Sequence, residues 1–366
     1  MEAMVIDPNF WRGRRVFLTG HTGFKGSWLT LLLARLGADV TGFALAPESR
    51  AGMFLAAGGQ TFLTRSVMGD IRNPEELAAA VGTARPEIVI HAAAQSLVRR
   101  SYQEPTATFA TNVLGTVHLL DAVRRTEGIR AVIVVTSDKC YENAGGGGRF
   151  REVDRLGGRD PYSSSKAAAE LVVDAYRQSF LDEAGCAVAT VRGGNVIGGG
   201  DFADDRLVPD AMRAFVAGRT LRIRNPAAVR PWQHVLDLLG GYLRLAERLA
   251  CGGSAFAGAW NFGPPPASEV RVADVASALV RLWGSPARWE EDIGSHPHEA
   301  AHLALDSTKA RSLLGWHPVL DLDKALALTV DWYRDEAGGQ AMQGLTVAQI
   351  DGFLGLREAV AERVEA

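Results

Sequence analysis

Cysteine is scarce in this chain: among its 366 residues, Cys140, Cys186 and Cys251 are the three thiols. So few cysteines do not make the disulfide framework of a small secreted domain. The sequence also lacks an apolar run of the roughly 18 residues that span a bilayer. Its opening segment, MEAMVIDPNFWRGRR, has no apolar signal-peptide core. These absences predict a cytoplasmic protein with no membrane partner.

An excess of charge of one sign is missing as well. The formal net charge is −3, with 22% of the residues charged and 47% hydrophobic. Such a balance builds in no attraction for nucleic acid or for an anionic membrane. It describes an ordinary globular chain, long enough for one large or two modest domains with filled cores.

β-rich runs alternate with helix-length amphipathic segments along the first half of the chain. The runs lie at 14–20, 38–45, 87–94, 130–137 and 186–197, and the helical patterns lie near 26–36, 74–82, 105–126 and 161–184. Near-continuous apolar strands separated by helices are typical of a parallel sheet covered on both faces. We therefore predict an α/β fold whose main part is a Rossmann-type, doubly wound parallel sheet.

The texture of the chain changes after residue 198. GGGDFADDR is a polar, Gly-rich loop, and the later strands, LRIRN, AWNFG and HLALD, are shorter and less regular. We predict a dinucleotide-binding domain over 1–198 and a smaller mixed α/β substrate domain over 199–340. A segment near 230–250, which contains PWQHVLD, is expected to return to the large sheet, and 341–366 forms a tail of unassigned role.

Gly20, Gly23 and Gly26 follow the first predicted strand and open the next helix, in VFLTGHTGFKGSWL. Such glycines permit a tight turn and let the backbone approach a pyrophosphate, which a helix N-terminus attracts. The pattern G-x-x-G-x-x-G in this strand–turn–helix context predicts a dinucleotide site. Its spacing differs by one residue from that of most dehydrogenase Rossmann domains.

The residues leave the choice between NAD and NADP open. An acid at the end of the second strand would bond the ribose 2′-hydroxyl of NAD. GFALAPESR has no acid at that end, and Arg50 could accept the 2′-phosphate of NADP. Asp70 would suit an adenine amino group, and would equally suit a helix cap for IRNPEEL.

Tyr162 and Lys166 lie four residues apart at the start of the predicted helix 161–184, and therefore on one face. A tyrosine of ordinary pKa, about 10, is a poor base at neutral pH. A neighbouring ammonium favours the phenolate and lowers that pKa, which would make Tyr162 a base for a sugar hydroxyl. This spacing occurs on many helices, so the prediction depends on its combination with the glycine loop and the next motif.

The strand 130–137 stops abruptly at Ser137-Asp138-Lys139. Ligands of parallel sheets bind outside the carboxyl ends of the strands, so an acid and a base placed there can form a catalytic pair. A solvated turn at the end of a strand would have the same composition.

Several motifs resemble those of the extended short-chain dehydrogenase/reductase family: TGHTGFKG, HAAAQ, TNVLGTVHLLDA, YSSSK and RGGNVIGGGD. The similarity covers the chain to about residue 337. More narrowly, GHTGFKGSWL, AAQSLVRRSY, VTSDKCYEN, GNVIGGGD and RPWQHVLD resemble the nucleotide-sugar 4,6-dehydratases that act on CDP-glucose. This resemblance implies NAD as cofactor, CDP-glucose or a related nucleotide sugar as substrate, and a homodimer through helices 105–126 and 161–184.

The resemblance also implies roles for the polar residues. The family oxidises a hexose at C4, eliminates water across C5 and C6, and returns the hydride to C6. Tyr162 would take the C4 hydroxyl proton, and Lys166 would hold the cofactor ribose. Thr136 or Ser137 would hydrogen-bond the reacting oxygen. Asp138 would be the acid at the C6 hydroxyl, provided that burial keeps it protonated.

Lys139 stands where dehydratases of the dTDP type carry glutamate. A lysine can act as the base at C5 only when it is neutral, which requires desolvation or nearby positive charge. The alternative is that Lys139 only orients Asp138 while another group takes the proton.

The predicted binding sets follow from the same resemblance. The cofactor set is Gly20, Thr22, Gly23, Phe24, Gly26, Asp70, Ile71, Ala92, Ala93, Gln95, Asn112, Tyr162 and Lys166. The substrate set is Gln95, Arg99, Tyr102, Asn195, Arg206, Arg222, Asn225 and Arg230. Arg230 and Asn195 are assigned to the diphosphate, for which a guanidinium is a bidentate clamp. Arg99 and its neighbour Arg100 could equally be surface charges.

No metal site is expected, although His298 and His302 formally match H-E-x-x-H in HPHEAAH. That chemistry requires a helix, whereas Pro297 precedes the motif and AHLALD alternates like a strand. In an extended chain, residues four apart are separated by about 13 Å and cannot share an ion. Cys140 lacks a local histidine–acid partner and is expected to be a packed residue.

Two other functions use parts of the same pattern. A nucleotide-sugar 4-epimerase would share the cofactor site, Tyr162 and Lys166, but would not need Asp138-Lys139 for elimination. A non-catalytic nicotinamide-sensing protein would be expected to lose Tyr162 or Lys166, and this chain has both.

Overall fold

The computed structural model describes residues 6–47, 52–143, 145, 148–294 and 303–365. Its strands are β1 (Arg15–Thr19), β2 (Asp39–Ala44), β3 (Arg65–Met68), β4 (Ile88–His91), β5 (Ala131–Val135), β6 (Ala187–Gly193), β7 (Asn195–Ile197), β8 (Leu221–Ile223), β9 (Val229–His234), β10 (Gly258–Phe262), β11 (Glu269–Arg271) and β12 (Trp289–Glu291). Seven of them form one sheet in the order β10-β6-β5-β4-β1-β2-β3.

The helices are α1 (Pro8–Trp11), α2 (Phe24–Arg35), α3 (Met53–Ala56), α4 (Pro74–Ala84), α5 (Val98–Gln103), α6 (Pro105–Phe109), α7 (Gly115–Arg124), α8 (Pro161–Tyr176), α9 (Leu207–Val216), α10 (Val235–Gly252), α11 (Val272–Trp283), α12 (Thr308–Leu314), α13 (Leu322–Ala337) and α14 (Met342–Glu365). Turns of π-helix at Ala110–Leu114 and Arg177–Leu181 join α6 to α7 and extend α8. The predicted helices 105–126 and 161–184 are therefore each a helix with one widened turn.

Every pairing in the seven-stranded sheet is parallel. Its central strands, such as AVIVV of β5, are buried along their whole length because helices cover both faces. Apolar residues of α2 and α10 fill the core on one face, and those of α4, α7 and α8 fill the core on the other. The predicted Rossmann-type doubly wound sheet is confirmed, with its strand order reversing between β1 and β4.

The later part of the chain adds two small sheets, one of β11, β9 and β7 and one of β12 and β8. The predicted strand 186–197 is divided, because β6 ends at Gly193 in the large sheet and β7 begins at Asn195 in a small one. A Cβ at Gly193 would lie 2.9 Å from a methyl carbon of Leu238, so any larger residue where the chain passes between the sheets would displace that side chain.

The segment near 230–250 reaches the large sheet as a helix and not as the strand expected from PWQHVLD. The strand in PWQHVLD is β9, which pairs with β7 and β11 in the small sheet. The return is made by helix α10, which packs against β5 and β6, and by β10, which pairs with β6. AWNFG is thus an edge strand of the large sheet. In its described residues, 303–306, HLALD forms a single bridge, between Phe150 and Leu305, and the boundaries 1–198 and 199–340 stay a prediction.

The predicted tail is helix α14, which is fixed to the body of the protein. Ile350 and Phe353 are buried in the main core. Arg357 donates to the Asp237 carboxylate of α10 at 3.3 Å, and the two side chains are 3% and 0% exposed. The backbone N–H groups of Val319 and Leu320 donate to the same carboxylate at 2.8 and 3.0 Å. In the described ranges, no helix combines the length and the apolar character that crossing a membrane requires.

We expect Arg357→Met to lower the free energy of unfolding by about 3–5 kcal/mol, because it leaves the Asp237 carboxylate buried without its cation. Arg35→Met is the matched control. Arg35 also ties α14 to the body through Asp351, but that pair is half-exposed, so its loss should be below about 1 kcal/mol. Urea unfolding measures the free energy of unfolding of both variants. Equal decreases in the two would contradict a larger contribution from the buried Arg357–Asp237 pair.

Candidate active site

The glycine loop between β1 and α2 is shaped to hold an anion. A Cβ at Gly20, whose φ is +78°, would lie 2.7 Å from the backbone nitrogen of Ala93. A Cβ at Gly26 would lie 2.0 Å from the Gly20 carbonyl oxygen. Gly23 is the N-cap of α2 and would bring a Cβ no closer than 3.5 Å to other atoms. Gly20 and Gly26 therefore close the loop, and Gly23 leaves the helix N-terminus open to a pyrophosphate.

Other predicted cofactor residues lie along the same edge of the sheet. The Thr22 hydroxyl donates to the Leu45 carbonyl at 2.9 Å, just beyond β2. Ala93 follows β4, and its N–H donates to the Thr19 hydroxyl at 3.2 Å. Ala92 presents its backbone to Gly20, and the ring of Phe24 lies beside Gly198. These contacts fix the loops around the cradle without filling it.

Asp70 is not the cap of α4, since Asn73 accepts from Glu76 N in that position. The Asp70 carboxylate instead binds Arg72 through its guanidinium, at 2.5 Å from Nη2, and through its backbone N–H at 2.9 Å. Ile71 is buried, with its side chain against Gly115. Arg50 lies outside the described residues.

Asn112 supports the loop that follows β4. Its side chain accepts from Gln95 N at 2.8 Å and donates to Gln95 O at 3.0 Å and to Ser165 Oγ at 2.9 Å. The π-turn at Ala110–Leu114 carries Asn112, as such turns often do at functional sites. The Gln95 amide is itself held by Leu97 and Thr108. Both residues thus shape the backbone beside the cleft.

Helix α8 begins at a strong N-terminal signal and delivers two of the predicted catalytic residues. Asp160 caps the helix by accepting from Ser163 N at 2.9 Å, and Pro161 occupies the first turn. Tyr162 and Lys166 are buried on one face. The phenol of Tyr162 lies near the Ser137 side chain, and Lys166 Nζ donates to the Val135 carbonyl at 3.1 Å.

The electrostatics of this pair differ from the expectation. Burial raises the pKa of Tyr162 to about 12, against smaller lowering effects from the Ser137 hydrogen bond and from the charge of Arg206. Burial also lowers the pKa of Lys166 to about 8, with Lys25 adding to the effect. Lys166 binds the end of β5 rather than the phenol, so it does not lower the pKa of Tyr162 in the protein alone.

The turn after β5 places Asp138 in the same cleft. Ser137 caps this short turn, accepting from Lys139 N at 3.2 Å and donating to Asp138 Oδ1 at 3.0 Å. Asp138 is 3% exposed, and within the described part of the chain its Oδ2 has no hydrogen-bond partner. Burial raises the pKa of Asp138, and the charges of Lys139, Lys25 and Arg230 lower it to a smaller extent. One oxygen is therefore held while the other can meet a ligand.

Thr136 and Ser137 occupy different environments. The Thr136 hydroxyl donates to Glu170 Oε1 at 2.5 Å, and Thr136 is buried. The Ser137 hydroxyl donates to Asp138 and lies near the phenol of Tyr162. Of the two alternatives for the hydrogen bond to a reacting oxygen, the structure favours Ser137.

Cationic side chains surround this cleft. Arg206 donates to Asp201 at 2.8 Å and to Ser96 at 3.2 Å, and its charge acts on Tyr162. Arg230 of β9 donates to the Val229 carbonyl at 2.9 Å, and its charge acts on Asp138. Both therefore add positive charge to the cleft, and their role at a diphosphate stays a prediction.

Arg99, another predicted substrate residue, and its neighbour Arg100 are both engaged in ion pairs. Arg99 donates to Asp205 at 2.7 Å, and Arg224 donates to the same oxygen at 2.7 Å. Asp205 belongs to the Gly-rich loop after β7, so this carboxylate joins α5 to the loops of the small sheets. Arg100 pairs with Glu104 on the surface.

Tyr102 and Arg222 are exposed, and Arg222 pairs with Glu290 across the small sheet of β8 and β12. Arg222 is thus held away from the large sheet, on which the polar cleft lies. Asn195, the first residue of β7, and Asn225 are half-buried. No contact of these four side chains decides their predicted role in substrate binding.

The profile of the NAD dependent epimerase/dehydratase family matches residues 16–260. The chain belongs to this family. It is 46% identical over 355 residues to the CDP-glucose 4,6-dehydratase of Salmonella typhimurium, which covers 96% of this chain and 99% of that protein. It is also 29% identical over 329 residues to the UDP-glucose 4-epimerase of Mycolicibacterium smegmatis, over 88% of this chain and 99% of the other.

Among solved structures, DesIV, the dTDP-glucose 4,6-dehydratase of Streptomyces venezuelae, superposes with a TM-score of 0.75 at 28% identity. The match covers 90% of this chain and 99% of that one, which was solved with NAD bound. These comparisons confirm the resemblance inferred from the motifs. The family is described as NAD dependent, which agrees with an anion cradle that is open at Gly23.

Sequence reasoning missed three polar residues. Lys25, in the first turn of α2, has its pKa lowered to about 8, mainly by burial and the charge of Arg206. A lysine at a helix N-terminus, where the helix dipole disfavours a cation, was a readable signal. Glu170 and Arg192 form a buried pair behind the cleft. The signal for Arg192 was a charge within the apolar run AVATVRGG. The signal for Glu170 was its position four residues after Lys166, in helical register with Tyr162 and Lys166.

The described ranges contain no group of three or more His, Cys, Asp or Glu side chains that could hold a metal ion. His298 and His302 lie outside the described residues. Cys140 is buried, and burial raises the pKa of its thiol, as expected for a packed residue.

We expect Gly23→Ala to keep the fold while weakening NAD binding about tenfold or more, because its methyl group would point into the open anion site. Gly26→Ala is the contrasting variant. Its methyl group would collide with the Gly20 carbonyl, so it should lower the free energy of unfolding by about 1–3 kcal/mol or more. Calorimetric titration with NAD and urea unfolding test both, and an unchanged NAD affinity in Gly23→Ala would contradict the assigned cradle.

Proposed function

We propose that this chain is an NAD-dependent CDP-glucose 4,6-dehydratase, which converts CDP-glucose to CDP-4-keto-6-deoxyglucose. The observation that carries the proposal is the position of Asp138. Its carboxyl group is buried beside Ser137 and the phenol of Tyr162, with one oxygen unpaired. An epimerase needs the tyrosine but has no use for an acid at this point. The 46% identity to the Salmonella typhimurium dehydratase supports the same reading.

The residues that would hold NAD fit the group. Gly20, Gly23 and Gly26 with the N-terminus of α2 would receive the pyrophosphate, and Lys166 would hold the ribose next to the nicotinamide. NAD held there would supply the hydride acceptor for C4 of the sugar and, once reduced, the hydride donor for C6. The described residues that directly follow β2, 45–47, include no acid, so the preference for NAD is supported by family membership rather than by a ribose ligand.

The side chains of the cleft divide the proton transfers. Tyr162 takes the proton of the C4 hydroxyl, and Ser137 holds the same oxygen by hydrogen bonding. The phenol is protonated in the protein alone, since burial raises its pKa to about 12, so its action as a base requires positive charge that stabilises the phenolate once cofactor and substrate are bound. Lys166, with a pKa lowered to about 8, is mostly protonated at neutral pH and would supply such a charge.

Elimination uses the turn after β5. The ketone at C4 makes the C5 hydrogen acidic, and Lys139 is the group of this turn that can remove it once neutral. Asp138 protonates the departing C6 hydroxyl, for which its raised pKa is required. Asp138 and Lys139 are adjacent in the chain, so the short turn that carries them keeps the acid and the base close to each other.

Arg206 and Arg230 bind the diphosphate, and Arg99 with Arg224 line its approach. Asn195, Asn225 and Gln95 contribute polar contacts at the sugar or the nucleoside. The apolar residues Phe109, Leu114, Leu171 and Phe180 are exposed on the helices 105–124 and 161–181. We assign this surface to a homodimer contact.

The decisive experiment uses CDP-glucose that carries deuterium at C4. The dehydratase should yield a product that has lost water and carries the deuterium at C6 of the same molecule, as seen by mass spectrometry and NMR. A product of unchanged mass with inverted C4 would support a 4-epimerase instead. Parallel incubations with UDP-glucose and dTDP-glucose test the preference for the nucleotide. Both should be converted at least about tenfold less well than CDP-glucose.

Single-turnover experiments with Tyr162→Phe and Asp138→Asn should separate the two halves of the reaction. Tyr162→Phe removes the base, so no reduced nicotinamide should form. Asp138→Asn keeps the shape of the turn but has no acidic proton, so reduced nicotinamide should form and persist while product falls by about 100-fold or more. Normal product formation by Asp138→Asn would contradict its role as the acid.

The pH dependence of turnover shows whether Asp138 acts in its protonated form. The active form of Asp138 is protonated, and burial places its folded pKa above the ordinary value of 3.8. Activity due to this group is therefore present below that raised pKa and is lost as the pH rises through it. The corresponding descending limb should be absent from the residual rate of Asp138→Asn, since an amide has no proton to lose in this range.

A further inference from the structure

A buried ion pair lies directly behind the catalytic turn. Glu170 of α8 and Arg192 of β6 are 4% and 3% exposed. The guanidinium binds the carboxylate through two atoms, with Nε 2.9 Å from Oε1 and Nη2 2.8 Å from Oε2. A bidentate pair fixes orientation as well as distance. It provides a rigid point inside the protein next to the residues that the proposed chemistry uses.

The Glu170 carboxylate also accepts hydrogen bonds from two threonine hydroxyls. Thr136 donates to Oε1 at 2.5 Å, and Thr190 donates to Oε2 at 2.7 Å. Thr136 directly precedes Ser137, whereas Thr190 lies in the middle of β6. The same carboxylate thus anchors one residue that leads into the catalytic turn and one that does not.

The guanidinium of Arg192 reaches the other end of the turn. Its Nη1 donates to the phenol oxygen of Tyr141 at 2.7 Å, and its carbon lies 4.8 Å from the centre of that ring. Tyr141 in turn donates to Asn261 at 2.8 Å. Tyr141 follows Cys140, the last residue of the turn. The turn is therefore held at both ends by one ion pair.

The helix that supplies Glu170 is the helix that supplies the proposed base. Tyr162, Lys166 and Glu170 are spaced by four residues along α8 and share one face. Lys166 binds the carbonyl of Val135, and Glu170 binds the hydroxyl of Thr136. Two successive residues of the chain leaving β5 are thus fixed to the same face of the same helix.

We propose that Glu170, held by Arg192 and acting through Thr136, is a positioning residue that sets the distance between Tyr162 and the Ser137–Lys139 turn. This inference rests on the proposed function for its catalytic consequence. Thr136 then acts through Ser137 and Asp138 and does not itself touch the substrate.

Burial of a charge pair gives little net stability, because the loss of hydration offsets the attraction between the charges. Positional accuracy is a better reason for such a pair at this place. A displacement of about 1 Å in a reacting group can reduce a rate by about 100-fold. The acid and base of the turn must serve C5 and C6 of the same sugar ring whose C4 faces Tyr162, so a loose turn would impair turnover before it impaired binding.

The test compares Thr136→Val with Thr190→Val. Each variant removes one hydroxyl from the same carboxylate, keeps a β-branched side chain and leaves the Glu170–Arg192 pair intact. Both should show similar decreases in melting temperature. We expect Thr136→Val to lower kcat about 10- to 100-fold with KM for CDP-glucose within about twofold of the original. Thr190→Val should keep kcat within about twofold.

Rescue distinguishes positioning from packing. Thr136→Ser restores the hydroxyl without the methyl group and should return kcat to within about threefold of the original. Equal losses of kcat in Thr136→Val and Thr190→Val, or a normal kcat in Thr136→Val, would overturn the proposal. So would a Thr136→Val variant whose KM rises while kcat stays unchanged.

A structural readout needs no substrate. Crystal structures of the two variants should show residues 137–139 displaced in Thr136→Val and unmoved in Thr190→Val. If the original protein fails to dehydrate CDP-glucose, the proposed function is wrong, and these structures still decide whether Glu170 positions the turn. An unmoved turn in both variants would overturn the positioning role whatever the substrate.

Discussion

The contact between helix α8 and the carboxyl end of β5 sets the geometry on which the cleft depends. Lys166 Nζ lies 3.1 Å from the Val135 carbonyl, so the helix that bears Tyr162 cannot move independently of the strand that leads into Asp138. The parallel sheet supplies the other requirement, because it brings the ends of β1, β4 and β5 to one edge. The anion cradle, the Asn112-supported loop and the catalytic turn meet there because they follow neighbouring strands.

The cleft combines buried titratable groups with an excess of positive charge. Burial raises the pKa values of Asp138 and Tyr162 and lowers those of Lys25 and Lys166. Each shift disfavours a charged form. The pKa values of Asp138, Lys25 and Lys166 therefore move toward neutral pH, whereas that of Tyr162 moves further above it. A diphosphate entering beside Arg206 and Arg230 would change this balance, so that binding and proton affinity are coupled in the cleft.

The sequence predicted those parts of the structure that depend on local pattern. Near-continuous apolar strands identified the parallel sheet, and the strand–glycine–helix order located the cradle at Gly20 to Gly26. The direction of a side chain at a strand end is not a local property, and so Thr136 and Ser137 could not be separated until Glu170 was seen to bind one of them. The return path through β10 was missed for the same reason, since AWNFG resembles a strand whichever sheet it joins.

The family shows why the site decides the function. One relative of this chain is a 4,6-dehydratase and another a 4-epimerase, so membership of the family does not by itself choose between the two reactions. What separates them physically is whether a proton donor can reach C6 while the ring stays at the hydride acceptor. Among the described residues, Asp138 has a buried oxygen without a hydrogen-bond partner, and its other oxygen accepts from the Ser137 hydroxyl, which lies near the phenol of Tyr162. An unpaired buried carboxyl oxygen is costly to maintain unless a ligand meets it, and the proposed mechanism provides such a ligand in the sugar hydroxyl that leaves as water.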